Sequence, residues 1–281
     1  MPGTLYLVPT PIGNLGDISR RAAETLARAD FIAAEDTRVS LKLLNHLELK
    51  KPLVSYYRHN TETSGPAILR RILAGESCAL VTDAGTPAVS DPGEELVALC
   101  AASGVDVVSI PGPCALVTAL AASGLPTGRF TFEGFLPTNK KNRRAHLGSL
   151  RGEERTMIFY EAPHKLRATL ADLEETFGPD RRVSLCRELT KLHEEIDRTT
   201  LGRAAERYAG QEPRGEYVLV VDGAPPAAPE AVSPADALRR VEELRSGGLS
   251  LKAAAKQAAE ELSLPKNKLY DLALGKDTDW D

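Results

Sequence analysis

The chain has 281 residues, four cysteines and a net charge of −4, with 42% hydrophobic and 26% charged residues. That is the profile of a globular protein with room for more than one core, and it excludes a disulfide-stapled miniature. It also argues against a broad basic surface, and the longest apolar stretch, Leu96–Leu125, is broken by Gly104, Asp106, Pro111, Gly112 and Pro113, so it does not read as a membrane span.

In chain order, "TLYLV" (Thr4–Val8) reads as a strand that opens into "PTPIGN". Asp17 or Ser19 can cap a helix with Ile18, Ala22, Leu26 and Ala29 on one face. Strands follow at Phe31–Glu35, Leu53–Tyr57, "CALVTD" and Val105–Ile110, with helices between them, one of them near Gly65–Ala74. In "SDPGEEL", Asp91 is expected to cap a helix, with Pro92 at its first position and Glu94 completing a capping box. Strands this apolar predict a parallel sheet covered by helices on both faces. A second α/β unit is expected, with strands near Phe130–Phe135, Thr156–Glu161, Arg182–Glu188 and Glu216–Val221 and helices near Lys141–Leu150, His164–Phe177 and Gly202–Ala209. Gly223–Ala237 is rich in Pro and Ala and reads as a linker, and the helical tail beyond it resembles a helix-turn-helix. The division expected is an α/β domain at 1–125, a second at 126–223, a linker at 224–233 and a helical domain at 234–281.

The start of the chain has no basic segment of the secretory kind, and no two cysteines form a CxxC, so a reducing, cytoplasmic setting without a zinc site is expected. Cys78 and Cys186 read as core thiols.

The chemistry is expected in the loops after the first, fourth and fifth strands, which share the carboxyl edge of one parallel sheet. "PTPIGN", "TDAGTPAVSDPG" and "PGPCA" are rich in Gly and Pro and contain no Lys or Arg. With Asp83 and Asp91 in the second of them, they suit a neutral or cationic ligand such as a sulfonium rather than a phosphate. Asp36, Arg38, His59, Asn60, Glu161, Glu188 and Lys191 follow other strands and are the remaining polar candidates. "NKKNRRAHLGSLRGEER" holds six Lys or Arg against two Glu: a solvated helix face or a local basic patch for nucleic acid. From Ser233 onward eight basic residues face nine acidic ones, so docking, dimer packing and nucleic-acid contact all stay open for the tail.

Eight ordered motifs — "GTLYLVPTPIGNLGDISRRA", "AEDTR", "TDAGTPAVSDPG", "IPGPCA", "FEGFLP", "FYEAPHKL", "RELTKLHEE" and "RGEYVLVV" — resemble the ribosomal RNA small subunit methyltransferase I family, of the tetrapyrrole-methylase-like class. The resemblance implies two α/β domains, S-adenosylmethionine as cofactor, a homodimer, and 2′-O-methylation of a cytidine in the decoding region of small-subunit ribosomal RNA, free or in the assembled subunit. Relatives that act on tetrapyrroles carry an acidic GDP where Gly85-Thr86-Pro87 stands here, which favours RNA; Cys114 replaces a more usual serine. The resemblance places Pro11, Asp83, Gly85, Thr86, Val89, Cys114, Ala115 and Tyr160 at the cofactor. Asp36, His59 and Glu161 are then candidate bases, Arg38 and Lys191 could orient the hydroxyl or hold phosphate, and Lys140, Lys141, Arg143 and Arg144 are expected on RNA phosphates. A small-molecule methyltransferase of the same class and a non-enzymatic RNA-binding factor are the rival readings.

Overall fold

The computed structural model describes residues 1–225 and 233–276, in two compact units, Met1–Ala224 and Pro225–Asp281. Most of the linker expected at 224–233 lies outside the described residues.

The first unit opens with strands β1 (Thr4–Leu7), β2 (Phe31–Ala34), β3 (Leu53–Ser55), β4 (Cys78–Val81) and β5 (Asp106–Ser109). They form one sheet in the order β3-β2-β4-β1-β5, and every pairing is parallel. β2 and β4 read Phe-Ile-Ala-Ala and Cys-Ala-Leu-Val, and all eight residues are buried. Their lack of polar alternation follows from being covered on both faces.

The connecting helices are α1 (Arg20–Arg28), α2 (Thr37–His46), α3 (Thr61–Leu73), α4 (Glu94–Ala102) and α5 (Ala115–Ala122). Leu26 of α1 and Leu44 of α2 pack with Ile32 and Val81 on one face. Ile68 of α3 and Leu96 of α4 pack with Phe31 and Leu80 on the other. β1 and β4 are neighbours, yet the helices that follow them leave to opposite faces. This is the arrangement that opens a crevice at the carboxyl ends of two strands.

Two expected boundaries shift. α3 begins at Thr61, ahead of the Gly65 expected, and carries Pro66 within its first turns. α4 begins at Glu94 with Gly93 as its N-cap, and no side chain caps it. Gly93 has φ +150°, and a Cβ there would lie 2.9 Å from the Ala88 Cβ and 3.0 Å from Leu80 Cδ2. The chain therefore turns tightly at Gly93, and Asp91 is released from the capping role that its sequence context suggests.

The unit continues with β6 (Phe130–Phe135), β7 (Thr156–Glu161), β8 (Arg182–Arg187), β9 (Glu195–Thr200) and β10 (Tyr217–Val221). Their order is β6-β7-β10-β8-β9; β6 and β7 are parallel and the other pairs antiparallel. β9 was not expected from the sequence. Its residues, Glu-Ile-Asp-Arg-Thr-Thr, are mostly polar, as an edge strand permits.

Helices α6 (Lys140–Ser149), α7 (Pro163–Phe177) and α8 (Leu201–Gly210) cover one face of this sheet. The pleat sorts β10 cleanly: Tyr217, Leu219 and Val221 face those helices, and Val218 and Val220 face the other way. On that other face they meet Leu116, Ala119 and Leu120 of α5, so a helix that follows the first sheet is buried against the second.

The second unit consists of α9 (Pro234–Ser246), α10 (Leu251–Glu261) and α11 (Lys266–Ala273) around Ala237, Val241, Ala254, Ala258 and Leu269. Ser233 and Ser250 cap the first two through their hydroxyls. The alanines let the helices approach closely enough to share a small core. Among the described residues no helix is long and apolar enough to cross a membrane.

Candidate active site

The loops after β1 and β4 are joined by a two-bond bridge: Thr10 N–H donates to the Gly85 carbonyl at 2.9 Å, and Gly85 N–H donates to the Thr10 carbonyl at 3.0 Å. Gly85 has φ +87°, a conformation that favours glycine, and a Cβ there would sit 3.4 Å from Ile12 Cγ2. Thr86 Oγ1 donates to the Pro113 carbonyl at 2.9 Å, which draws in the loop after β5. Three loops thus converge on one backbone turn.

Beside this turn lies a cavity of about 490 Å³. From the first sheet it is lined by Ile12, Glu35, Thr82, Asp83, Gly85, Thr86, Val89, Asp91, Cys114 and Ala115, and from the second by Phe135, Tyr160, Glu161, Glu188, Lys191 and Val218 among others. Its rim is conformationally costly. Of the six non-glycine residues with positive φ among the described residues, Ala88, Ser90, Glu188 and Thr190 belong to the two loops that border it. Such strain persists where the surroundings hold it, and it clusters at ligand sites.

The walls are apolar and aromatic, and the charges are mostly negative. Lys191 is the one cation among the described lining residues, and it is already paired, at 2.9 Å to Glu188 Oε1 and 2.7 Å to Glu216 Oε2. Burial works against its charge, but the hydrogen bonds to Glu216 and Glu188 more than offset this and hold its pKa above that of an ordinary lysine. A cavity of this kind does not cradle phosphate. It suits a ligand with a flat heterocycle and a positive centre.

The acid side chains differ sharply. Burial, with the Glu35 carboxylate nearby, pushes the Asp91 carboxyl up to about 6. The same two causes raise Asp83. Tyr160, also pushed up to about 12 by burial, stays a neutral phenol. Glu161 is 3% exposed; it accepts the Ala162 N–H at 2.9 Å and the Thr169 hydroxyl at 2.5 Å.

Asp83, Gly85, Thr86, Val89, Cys114, Ala115 and Tyr160 all line the cavity, and of the cofactor residues expected from the sequence only Pro11 does not. Glu161 and Lys191 line it too, whereas Asp36, Arg38 and His59 do not. Asp36 caps α2 by accepting the Arg38 N–H, and the Arg38 guanidinium holds its carboxyl down to about 2. His59 is exposed and stands edge-on to Tyr57 at 6.3 Å. Side chains alternate as the chain leaves β2: Glu35 faces the cavity, so Asp36 beside it lies outside.

The basic segment is the start of helix α6, capped by Asn139. Lys140 and Lys141 are exposed. Arg143 is 8% exposed and is committed to Asp172 at 2.6 Å, while Arg144 pairs with Asp172 and Glu175. The expectation that Arg143 contacts RNA phosphates meets a buried ion pair, whose breakage would expose a charge to an apolar surround. Glu35, Thr82 and Phe135 were not singled out from the sequence. The position of Glu35, one residue past a buried strand, was the available signal, but its neighbour Thr82 is revealed only by the β2–β4 register.

Comparison with known proteins gives this site its setting. Residues 4–205 match the family of Tetrapyrrole (Corrin/Porphyrin) Methylases, and residues 231–277 match the RsmI C-terminal HTH domain. Among solved structures, a uroporphyrin-III C-methyltransferase from Thermus thermophilus complexed with S-adenyl homocysteine aligns with TM-score 0.54 at 22% identity, covering 77% of this chain and 97% of that one. Diphthine synthase aligns with TM-score 0.60 at 15% identity, covering 78% and 90%. The "Ribosomal RNA small subunit methyltransferase I" of Synechocystis sp. is 48% identical over 277 residues, 99% of each chain. The protein of that name from Escherichia coli O157:H7 is 46% identical over 97% of this chain and 95% of its own.

Fold and site define an S-adenosylmethionine-dependent methyltransferase of the tetrapyrrole-methylase class. Within that class the chain belongs to the ribosomal RNA small subunit methyltransferase I family. The residues present fit the cofactor. The Gly85 turn admits close backbone approach, the Val89, Cys114, Ala115 and Tyr160 walls suit an adenosine, and the acidic lining suits a sulfonium.

Proposed function

We propose that the chain methylates the 2′-hydroxyl of a cytidine ribose in the decoding region of small-subunit ribosomal RNA. The observation that carries this reading is the 48% identity, across 99% of both chains, to a protein named for methylating that RNA. The sequence motifs add the ribose and the cytidine, through the family they resemble. We also propose a homodimer, a cytoplasmic setting, and the RNA or assembled small subunit as partner.

Gly85, Thr86, Val89, Cys114, Ala115 and Tyr160 would hold the cofactor, which supplies a methyl group already activated on a sulfonium. The protein's own work is then placement. Holding the hydroxyl in line with the methyl can supply roughly 7–11 kcal/mol of the barrier. Phe135 and Tyr160, with rings 5.5 Å apart, form an aromatic wall on one side of the cavity. Lys191 is fixed by two carboxylates, so it orients rather than titrates. Lys140 and Lys141, exposed at the start of α6, are the residues proposed to meet phosphates, and their exposure supports this.

The test is transfer of labelled methyl from S-adenosylmethionine to purified small subunits and to their naked RNA. Label in RNA supports the reading. Label found only in a tetrapyrrole or a protein acceptor supplied alongside would replace it.

A further inference from the structure

Strand β6 breaks its own side-chain alternation. Phe132 pairs with Ile158 of β7, but the next pair is Gly134 with Phe159, and Glu133 between them has no partner. Glu133 is thus a one-residue bulge, and Gly134 beside it takes φ +63°. In a regular strand Phe132 and Phe135, three positions apart, would face opposite sides of the sheet. The bulge cancels that offset, because Phe135 comes to pair with Tyr160, two residues beyond Ile158. Phe132, Phe135 and Tyr160 therefore share one face, and both phenylalanine rings stand edge-on to Tyr160, at 5.0 and 5.5 Å.

The bulge is held from two sides. Glu133 Oε2 lies 3.1 Å from His146 Nε2 on α6, and a Cβ at Gly134 would lie 3.9 Å from Ser90 Oγ in the loop after β4. Yet the side chain that the bulge delivers is not buried. Phe135 lines the cavity and is 56% exposed, while Phe132 and Tyr160 are half-buried. A bulge gives up a ladder pairing, and beside active sites bulges re-aim a side chain. Core packing does not account for this one, because the ring it turns stays mostly in solvent.

We propose that Phe135 is the platform on which the base of the target nucleotide stacks while its ribose hydroxyl enters the cavity. The inference rests on the function proposed above and adds the part of the substrate that this rim recognises. A nucleotide that brings its 2′-hydroxyl to the cofactor brings its base as well, and a base drawn out of its stack loses the neighbours on its faces. An aromatic ring replaces one of them, whatever hydrogen-bonding edge the base carries. The chain beyond the ring supports a nucleotide as the occupant. Leu136–Asn139 leads straight from Phe135 to Lys140 and Lys141, so one short segment presents both a ring and two exposed cations. A nucleotide in RNA carries the matching pair, a planar base and flanking phosphates. The cofactor has walls of its own in Val89, Cys114, Ala115 and Tyr160.

The experiment compares wild-type protein, Phe135→Leu and Phe135→Tyr in the methylation of small subunits that lack the modification. Calorimetry with S-adenosylmethionine and sedimentation use the same preparations. Phe135→Leu keeps an apolar side chain but removes the ring, and should lower kcat/KM for the subunit about 5–150-fold. Phe135→Tyr restores a ring and should stay within about threefold of wild type. Cofactor affinity and oligomeric state should be unchanged in both. Subunits reconstituted with an RNA whose target nucleotide lacks its base should cost wild-type protein a similar factor, and Phe135→Leu should add nothing to that loss. Wild-type kinetics in Phe135→Leu, or an undiminished rate of wild-type protein on the RNA without the base, would overturn the platform. So would a parallel loss of S-adenosylmethionine affinity, which would give the ring to the cofactor, or a change of oligomeric state, which would give it to an interface between copies. If Phe135→Leu does not fold, wild-type protein on the RNA without the base decides. A wild-type protein that methylates no RNA overturns the function itself and the platform with it, whereas RNA methylation indifferent to Phe135 overturns the platform alone.

Discussion

The Tyr160 hydroxyl accepts the backbone N–H of Leu116 at 3.1 Å. Leu116 lies in the first turn of α5, where N–H groups have no partner inside the helix. Tyr160 lies on β7, and its ring meets Phe132 edge-on at 5.0 Å. One hydrogen bond therefore ties the start of α5, which follows the first sheet, to the second sheet, beside the cavity that Ala115 and Tyr160 both line.

Tyr160→Phe keeps the ring and removes the bond. It is expected to cost about 0.5–1.5 kcal/mol of stability and to weaken S-adenosylmethionine binding several-fold. Denaturant unfolding and calorimetry on one preparation check both. Unchanged affinity would mean that the tie does not shape the site.

Gly85→Val places a β-branched side chain at φ +87°, 3.4 Å from Ile12 Cγ2. The strain is about 1–3 kcal/mol. The larger effect is at the ligand, because the new side chain fills the approach to the backbone. A folded variant without measurable cofactor binding is the expected result, and undiminished binding would move the cofactor elsewhere.

Asp36→Asn separates a structural carboxylate from a catalytic one. Arg38 depresses the Asp36 carboxyl to about 2 in the folded protein. Its contribution to stability is then complete above the unfolded value near 4 and is lost as the pH falls through about 2. The variant should melt lower than wild type at pH 7, and the gap should narrow on acidification. Its single-turnover rate should match wild type. A large rate loss with an unchanged melting temperature would restore Asp36 as a candidate base.

The two halves of the basic segment should behave differently. Arg143→Ala removes one of the two arginines that pair with Asp172 and leaves Arg144 as its partner, so it should destabilise by about 1–3 kcal/mol. Replacing Lys140 and Lys141 by Ala should leave the melting temperature unchanged and flatten the salt dependence of RNA binding by roughly 0.7–0.9 in log–log slope for each lost contact. An unaltered slope would leave those lysines as a solvated face.

Much of the fold is legible in the amino-acid sequence alone. Buried parallel strands announce themselves as apolar runs, and the glycine- and proline-rich loops marked the right sheet edge. Strand order was not legible, because nothing in the chain says that β4 inserts between β2 and β1. Without that order Glu35 and Thr82 are 47 residues apart and unrelated. Asp91 was misread for a local reason. Its capping pattern is sound as sequence, but the φ of Gly93 starts the helix two residues later and frees the carboxyl for the cavity. β9 escaped because an edge strand needs no apolar face. Arg143 looked solvated because its partner, Asp172, lies a helix away.

The most direct measurement of the central claim is mass-spectrometric mapping of methyl groups on small-subunit RNA from subunits lacking this modification, treated with the purified protein and S-adenosylmethionine. One new methyl group is expected, on a cytidine ribose 2′-oxygen in the decoding region, and absent when the cofactor is omitted. A methyl group on a base, at another region of the RNA, or nowhere in the RNA while cofactor is still bound would contradict the account.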